Sequence, residues 1–303
     1  MINLTSFIGS KKTVGEKISS DKRTRKCVVF LSDFGTVDGA VSAMHAVADD
    51  VDETLRLEDL THEIPQFNIW EASYRLIQAL TYWKKGTVFV CVVDPGVGSD
   101  RKSVVALTNS GHFIVTPDNG TLTHVAQEIG ISAVREIEEA TNRLHDSQAS
   151  YTFHGRDVYA YTAARLASGI ISFEEVGPSL DTESIVKLDL SPASISNGEI
   201  TGNIDILDTR YGSLWSNIPR ELVTEAGISY GDLVDVKISH KGCIVFGYPL
   251  KLCKNFTEVN MGEPLMYINS LLNVGIALNQ GDFASVYHIQ TGEGWKIKIK
   301  KHL

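Results

Sequence analysis

Only four cysteines occur in the 303 residues, and no two of them have Cys-x-x-Cys spacing, so neither a zinc ribbon nor a dithiol redox pair is expected. Cys27 and Cys91 lie inside apolar runs, where a buried reduced thiol is the ordinary state. The set suits a reducing compartment, and a cytoplasmic protein is expected. No apolar run approaches the ~18 residues of a membrane-spanning helix, and the start lacks the charged-then-apolar order of a secretory signal. Basic residues are in the minority, 28 Lys and Arg against 37 Asp and Glu for a net charge of −9. That balance argues against nucleic acid as a partner, since phosphate binding wants a basic surface. Histidines are few, nine in all, and their scatter along the chain shows no metal-ligand spacing, so no metal site is expected. Repeats and low-complexity segments are also absent.

What is present is globular. Hydrophobic residues make up 43% and charged residues 21%, and the length suits two domains with real cores. Residues 1–26 differ, with seven Lys or Arg against two acids. They are expected to be a disordered tail, because Glu16 and Asp21 do not suit a transit peptide.

From residue 27 to 190 the pattern alternates strand and helix. Cys27–Leu31, Leu55–Leu60, Thr87–Val93, Ser103–Leu107 and Phe113–Val115 read as strands. Asp38–Asp49, Asn68–Trp83, Thr121–Ile129 and Val158–Leu166 carry apolar residues at helical spacing. Such alternation predicts an α/β domain with a mostly parallel sheet flanked by helices. After the boundary, placed at 190/191 within the interval Pro178–Asn197, turn pairs such as Asn197-Gly198 and Lys241-Gly242 separate short β-rich runs. Residues 191–303 are therefore expected to form a small antiparallel β-barrel, with Arg220–Ala226 its one helix.

The most informative stretch is Val92–Arg101, Val-Val-Asp-Pro-Gly-Val-Gly-Ser-Asp-Arg. It follows a continuous apolar strand, so Asp94 sits at the carboxyl edge where open α/β sheets collect ligands. Arg101 follows across a loop in which Gly96 and Gly98 allow a tight turn. His154 lies in another loop just ahead of a helical pattern. Each of the three alone fits a turn residue, a surface ion-pair partner or a satisfied loop histidine. Together they could bind and orient one water molecule. Gly96–Arg101 is not a dinucleotide fingerprint, because Arg replaces the third glycine and no helix follows. Ser32-Asp33-Phe34-Gly35 is not a kinase metal triplet, for want of a glycine loop and a His-Arg-Asp segment. Asp33, at the end of the first strand, can accept hydrogen bonds from a ribose diol or simply cap a helix. Asp38 fits a first-turn helix charge. Asp208 repeats the strand-end arrangement in the second half, ahead of Tyr211 and Trp215 around Gly212. Core packing is the reading favoured for Trp215, whereas stacking on a base is open to Tyr211.

Taken in order, Ser32–Gly39, Val92–Arg101, Thr116–Gly120, Phe153–Arg156, Asp208–Asn217 and Asn269–Gly281 resemble the S-adenosylmethionine hydroxide adenosyltransferases, relatives of fluorinases and chlorinases. The resemblance implies a homotrimer with sites at subunit interfaces, S-adenosyl-L-methionine as substrate and no cofactor. It also implies a catalytic triad at Asp94, Arg101 and His154. The same resemblance assigns substrate binding to Asp33, Asp208, Ser213, Ser270 and the backbone around Leu278, with Asp33 on the ribose and Asp208 facing the methionine end; Asp38 and Tyr211 are counted beside them as substrate-binding candidates. Some positions depart from the halogenases. Asp94 stands where they have Tyr, Val97 replaces a small hydroxyl residue of the fluoride site, and Gly155 replaces the halide-holding serine. An anionic Asp94 would repel a halide, which favours water as nucleophile. Ser213 and Gly275 replace residues common among relatives.

The implied reaction is attack of water on the ribose 5′ carbon, giving adenosine and L-methionine. The leaving group departs from a sulfonium as a neutral thioether and needs neither an acid nor a metal. Water is the difficult partner. Its pKa of ~15.7 against ~3.9 for an ordinary aspartate corresponds to roughly 16 kcal/mol, about the whole barrier of an enzyme turning over ~10 times per second. Asp94 therefore takes the proton late, as the carbon–oxygen bond forms, or Arg101 and His154 stabilise the developing charge while Asp94 orients them. A chlorinase-type halogenase and a non-catalytic S-adenosylmethionine or adenosine binder are the alternatives.

Overall fold

Strand β1 (Cys27–Ser32) is buried along its whole length, as its unbroken apolar run requires. It is the second strand of a seven-stranded sheet in the computed structural model, which describes residues 26–302 except Glu293. The expected tail falls on residues 1–26 and so lies, but for Lys26, outside the described residues. Helix α1 (Ala40–Val51), β2 (Arg56–Thr61), α2 (Ile69–Leu80), β3 (Val88–Val92), β4 (Ser103–Thr108), β5 (Phe113–Pro117), α3 (Thr123–Glu128) and β6 (Ile131–Glu136) follow. Short helix α4 (Glu139–Asn142), a π-helical turn at Gly155–Ala160, α5 (Tyr161–Ser168) and β7 (Ser179–Leu180) complete this half.

The sheet order is β2-β1-β3-β5-β4-β6-β7. Pairings from β2 through β5 are parallel, and those beyond β5 are antiparallel. Because alternate residues of a strand point to opposite faces, β1 feeds two cores. Val28 and Phe30 pack with Val88, Val90, Met44 and Ala163 on one face. Val29 and Leu31 pack with Phe89, Cys91, Ala72 and Leu76 on the other. Helix α2 begins where the Asn68 side chain accepts a hydrogen bond from the Glu71 amide, and α5 stops at Gly169 in the left-handed conformation.

The second half comprises β8 (Ser194–Ser196), β9 (Glu199–Asp208), β10 (Ser213–Pro219), α6 (Arg220–Glu225), β11 (Leu233–His240), β12 (Cys243–Leu252), β13 (Pro264–Ile268), β14 (Asn273–Leu278), α7 (Phe283–Tyr287) and β15 (Trp295–Lys301). Its order is β10-β14-β13-β12-β11-β15-β9-β8, and β9 also pairs with β10, closing seven strands into a barrel. All pairings are antiparallel but one, where Lys251–Leu252 runs parallel to Leu265–Met266. The interior is apolar, with Ile204, Leu214, Val236, Phe246, Ile276 and Ile297 among its buried residues. The halves meet where α2 lies on β9, the Trp70 indole donating to the Asp205 carbonyl at 2.7 Å and Arg75 to that of Leu207 at 2.8 Å. Arg220–Ala226 is the one helix expected here, and it is found as α6, yet α7 is a second one. Asp282 caps it by accepting from the Ser285 amide. All four cysteines are free, and Cys243 is exposed while the others are buried. No helix among the described residues is long and apolar enough to cross a membrane.

Candidate active site

Strands β1 and β3 run side by side in parallel, with Ser32 opposite Val92. Asp33 and Asp94 therefore leave the sheet at the same carboxyl edge. The chain order β2-β1-β3 reverses there, so this is the crevice where doubly wound sheets bind ligands. The loop after Asp94 turns at once, Val97 N–H donating to the Asp94 carbonyl and Ser99 N–H to that of Gly96. Gly98 has φ of +79°, a conformation that suits glycine. The turn brings Arg101 back onto Asp94 as a fork, Nε to Oδ1 at 2.9 Å and the terminal nitrogen Nη2 to Oδ2 at 2.5 Å. The two side chains are 11% and 5% exposed, so this ion pair is largely shielded from solvent.

Arg101 Nη2 also lies 2.9 Å from His154 Nδ1. A guanidinium can only donate, so Nδ1 is the acceptor and a neutral His154 carries its proton on Nε2. That nitrogen is buried without a hydrogen-bond partner among the described residues. Burial holds the His154 pKa below its usual 6.5, with Glu139 pulling it up and Arg101 pushing it further down. Behind the triad, Arg101 Nη1 donates to Ser103 Oγ at 2.9 Å, and Ser103 Oγ lies 3.1 Å from the Tyr159 hydroxyl. His154 itself sits just before the π-helical turn, a local widening of a helix that recurs at functional sites.

A cavity of about 280 Å³ opens here, lined by Asp33, Asp38, Asp94 and His154 together with Phe34 and Phe67. Asp33 Oδ2 accepts from the Phe67 amide, and Asp38 Oδ1 from the amide of Ala40, the first residue of α1. Asp38 thus stands ahead of the helix, outside its first turn. Gly155 and Val97 also line the cavity. A side chain at 155 would meet the Phe34 ring and Met44 Sδ at 3.1–3.3 Å, so packing favours the glycine found there.

The other predicted residues gather elsewhere. Asp208, Tyr211, Ser213, Ser270 and Leu278 line a second cavity, about 810 Å³, at one end of the barrel. The five therefore share one cavity, and the triad does not line it. Trp215 also lines this cavity and donates from its indole to the Tyr267 hydroxyl at 2.9 Å. The core-packing reading of Trp215 is thereby corrected: its strand alternation turns it away from the buried neighbours Leu214 and Ser216. Phe256, Tyr267, Asn269 and Asn279 were not singled out from the sequence, although the last two fall within the resembling segment Asn269–Gly281. The Tyr267 ring explains Gly275, since a Cβ there would come within 2.6 Å of it. The histidines are less scattered than their spacing suggests, because His45 and His62 converge on Asp59.

Fold and site together define a two-domain scaffold, an α/β sheet with an acid–guanidinium–imidazole triad at its switch point joined to a closed β-barrel. Residues 28–177 match the SAM hydroxide adenosyltransferase N-terminal domain and residues 202–296 the SAM hydroxide adenosyltransferase C-terminal domain. The chain belongs to the SAM hydroxide adenosyltransferase family. It is 35% identical over 235 residues to the (R)-S-adenosyl-L-methionine hydrolase of Methanocaldococcus jannaschii, covering 76% of this chain and 80% of that one. The fluorinase of Actinopolyspora mzabensis is 24% identical, with 93% and 99% covered. A crystal structure of an uncharacterized conserved protein from Thermotoga maritima is similar with a TM-score of 0.80 and 34% identity, covering 90% of this chain and all of the other.

Proposed function

We propose that the chain hydrolyses S-adenosyl-L-methionine to adenosine and L-methionine, by attack of water on the ribose 5′ carbon. The observation that carries this reading is the Asp94–Arg101–His154 set at the β1/β3 crevice, in a chain 30–35% identical to proteins named (R)-S-adenosyl-L-methionine hydrolase.

The hydrogen bonds favour a division of labour. Arg101 holds both oxygens of Asp94 and the Nδ1 of His154, which leaves a neutral His154 with an Nε2–H to donate to the water oxygen. Asp94 lines the same cavity and retains lone pairs beyond those facing Arg101, so it accepts the water proton. As the oxygen–carbon bond forms, the carbon–sulfur bond breaks and its electron pair stays on sulfur, giving the neutral thioether. The proton passes late to Asp94, in keeping with the ~16 kcal/mol that forming free hydroxide would require. Arg101 fixes the geometry of acid and imidazole and stabilises the developing charge.

Asp33 holds the ribose, Asp38 contacts the substrate in the same cavity, Asp208 faces the methionine end, and Tyr211, Ser213, Ser270 and Leu278 contribute the adenosine and methionine contacts. These groups lie in two cavities of one chain. A homotrimer that sets the first cavity of one subunit against the second cavity of its neighbour would unite them. The two domains part at residues 190/191, between the last strand of the first sheet and the first of the barrel. The reaction uses no cofactor and belongs in the cytoplasm.

Incubation of the purified protein with S-adenosyl-L-methionine in ¹⁸O-labelled water tests the proposal. Adenosine labelled at its 5′ hydroxyl, with unlabelled methionine, is expected. Label in methionine, or a 5′-chloro-5′-deoxyadenosine peak in the presence of chloride, would replace hydrolysis by another route.

A further inference from the structure

We propose that His45, Asp59 and His62 form a binding site for a divalent transition-metal ion of the zinc class, separate from the triad. The three come from different elements. His45 lies on α1, Asp59 on β2 and His62 just beyond β2. Parallel pairing sets Phe30 of β1 opposite Asp59, and the Phe30 ring lies 4.7 Å from the His45 imidazole. His45 is thereby carried over the β1 edge towards β2. Its Nε2 is 2.7 Å from Asp59 Oδ1, and His62 Nε2 is 3.0 Å from the same oxygen. All three donor atoms fall within 4.8 Å of one another. Ligands around a tetrahedral zinc ion at ~2.0–2.1 Å are themselves about 3.3 Å apart, so small side-chain rotations suffice to admit one.

The donor set selects the ion. Two imidazoles and one carboxylate are the ligands of zinc sites that keep a fourth position for water, and they also suit cobalt, nickel or ferrous iron. Magnesium and calcium, which want oxygen ligands, do not match. A second observation points the same way. The His62 side chain is 2% exposed, and its Nε2, 3.0 Å from Asp59 Oδ1, is buried without a hydrogen-bond partner among the described residues. On the opposite side of the ring, Nδ1 is 2.7 Å from Ser32 Oγ. With Nδ1–H donating to Ser32, as outer-shell partners of metal-bound histidines arrange it, the Nε2 lone pair faces a carboxylate oxygen at 3.0 Å. Two electron-rich atoms so placed, the imidazole one buried, are reconciled by a cation between them. The His45 and Asp59 side chains are 29% and 43% exposed, which opens the site to entry from solvent.

The position gives the ion a role. Ser32, which holds His62, directly precedes Asp33, and the Gly35 amide donates to the His62 carbonyl at 2.8 Å. An ion at this point would tie α1, β2 and the segment after β2 to the loop that carries Asp33, stiffening one wall of the first cavity.

The test uses the full-length, tag-free chain stripped with chelator and titrated with Co²⁺ alone. Binding of about one equivalent is expected, with the visible bands of a four-coordinate N/O site. Zn²⁺ should displace the cobalt and raise Tm, and Mg²⁺ in excess should do neither. His45→Ala and Asp59→Asn, both partly exposed, should weaken binding at least ~100-fold and abolish the Tm rise, and Ser32→Ala should weaken it about 10–100-fold. Absence of cobalt bands at saturating Co²⁺, or undiminished binding by a folded His45→Ala protein, would overturn the site and leave the triad untouched.

Discussion

Four hydrogen bonds leave the guanidinium of Arg101, two to Asp94, one to His154 and one to Ser103. At the residue scale this makes the arginine a jig whose purpose is to hold an acid and an imidazole at the same cavity. Asp94→Asn is isosteric but can keep only one arm of the fork, because its amide nitrogen donates, and it removes the proton acceptor. It should lower kcat by about 10²–10⁴-fold while S-adenosyl-L-methionine still binds, as steady-state kinetics and equilibrium dialysis would register. Loss of binding together with turnover would return Asp94 to a structural role. The imidazole makes a separate prediction. Hydrogen bonding to Arg101 requires neutral His154, whose pKa is pushed below 6.5, chiefly by burial. Activity should accordingly be level through pH 7 and fall only on the acid side, with an apparent pKa below 6.5 in a kcat/KM profile. A fall of activity as pH rises through 7 would instead mean that protonated His154 is the active form.

At the scale of elements, Gly212 is the test case. It has φ of +60° in the turn between β9 and β10, and an added Cβ would strike the carboxylate of Asp282, the residue that caps α7. Gly212→Ala should cost about 1–3 kcal/mol, read as a lower denaturation midpoint with an unchanged m-value. The elements also divide by how readable they were. β1 and β3 were plain because strands buried on both faces are continuous apolar runs, and their ends located Asp33 and Asp94. Asn68 marked the start of α2 by a capping interaction that is local in sequence. The π-helical turn after His154 had no comparable mark, since a single widened turn leaves no period in the residues. Helix α7 was too short to show one. β15, Trp-Lys-Ile-Lys-Ile-Lys-Lys, alternates as far as Ile299 but is masked by its four lysines, although Ile297 and Ile299 are fully buried. The cluster of His45, Asp59 and His62 depends on strand register and helix placement. Neither can be obtained from spacing along the chain.

For the whole molecule, the junction of α2 and α3 with β9 holds two titratable groups with opposite tendencies. Burial raises the Asp205 carboxyl to about 8, with Glu128 adding to the shift, and lowers His124 to about 4. The raised acid contributes stability that is complete below about pH 4 and lost as pH climbs through 8. The depressed histidine contributes stability that is complete above 6.5 and lost as pH falls through 4. Between pH 6.5 and 8 only the acid changes, so the junction weakens with rising pH in that window. Asp205→Asn should therefore gain in Tm over the native chain as pH rises, reaching a plateau above about 8. Thermal melts of both proteins from pH 4 to 9 would show this, and a difference independent of pH would remove Asp205 as its source.

The separation of the candidate residues between two cavities has a genetic consequence. On the proposed homotrimer, an Asp94→Asn subunit still offers a sound barrel and an Asp208→Asn subunit a sound sheet edge. Each variant alone should be nearly inert. Refolded together from a common denatured pool they should complement, because some junctions then inherit only undamaged halves. Inertness of the mixture would mean that each polypeptide works for itself.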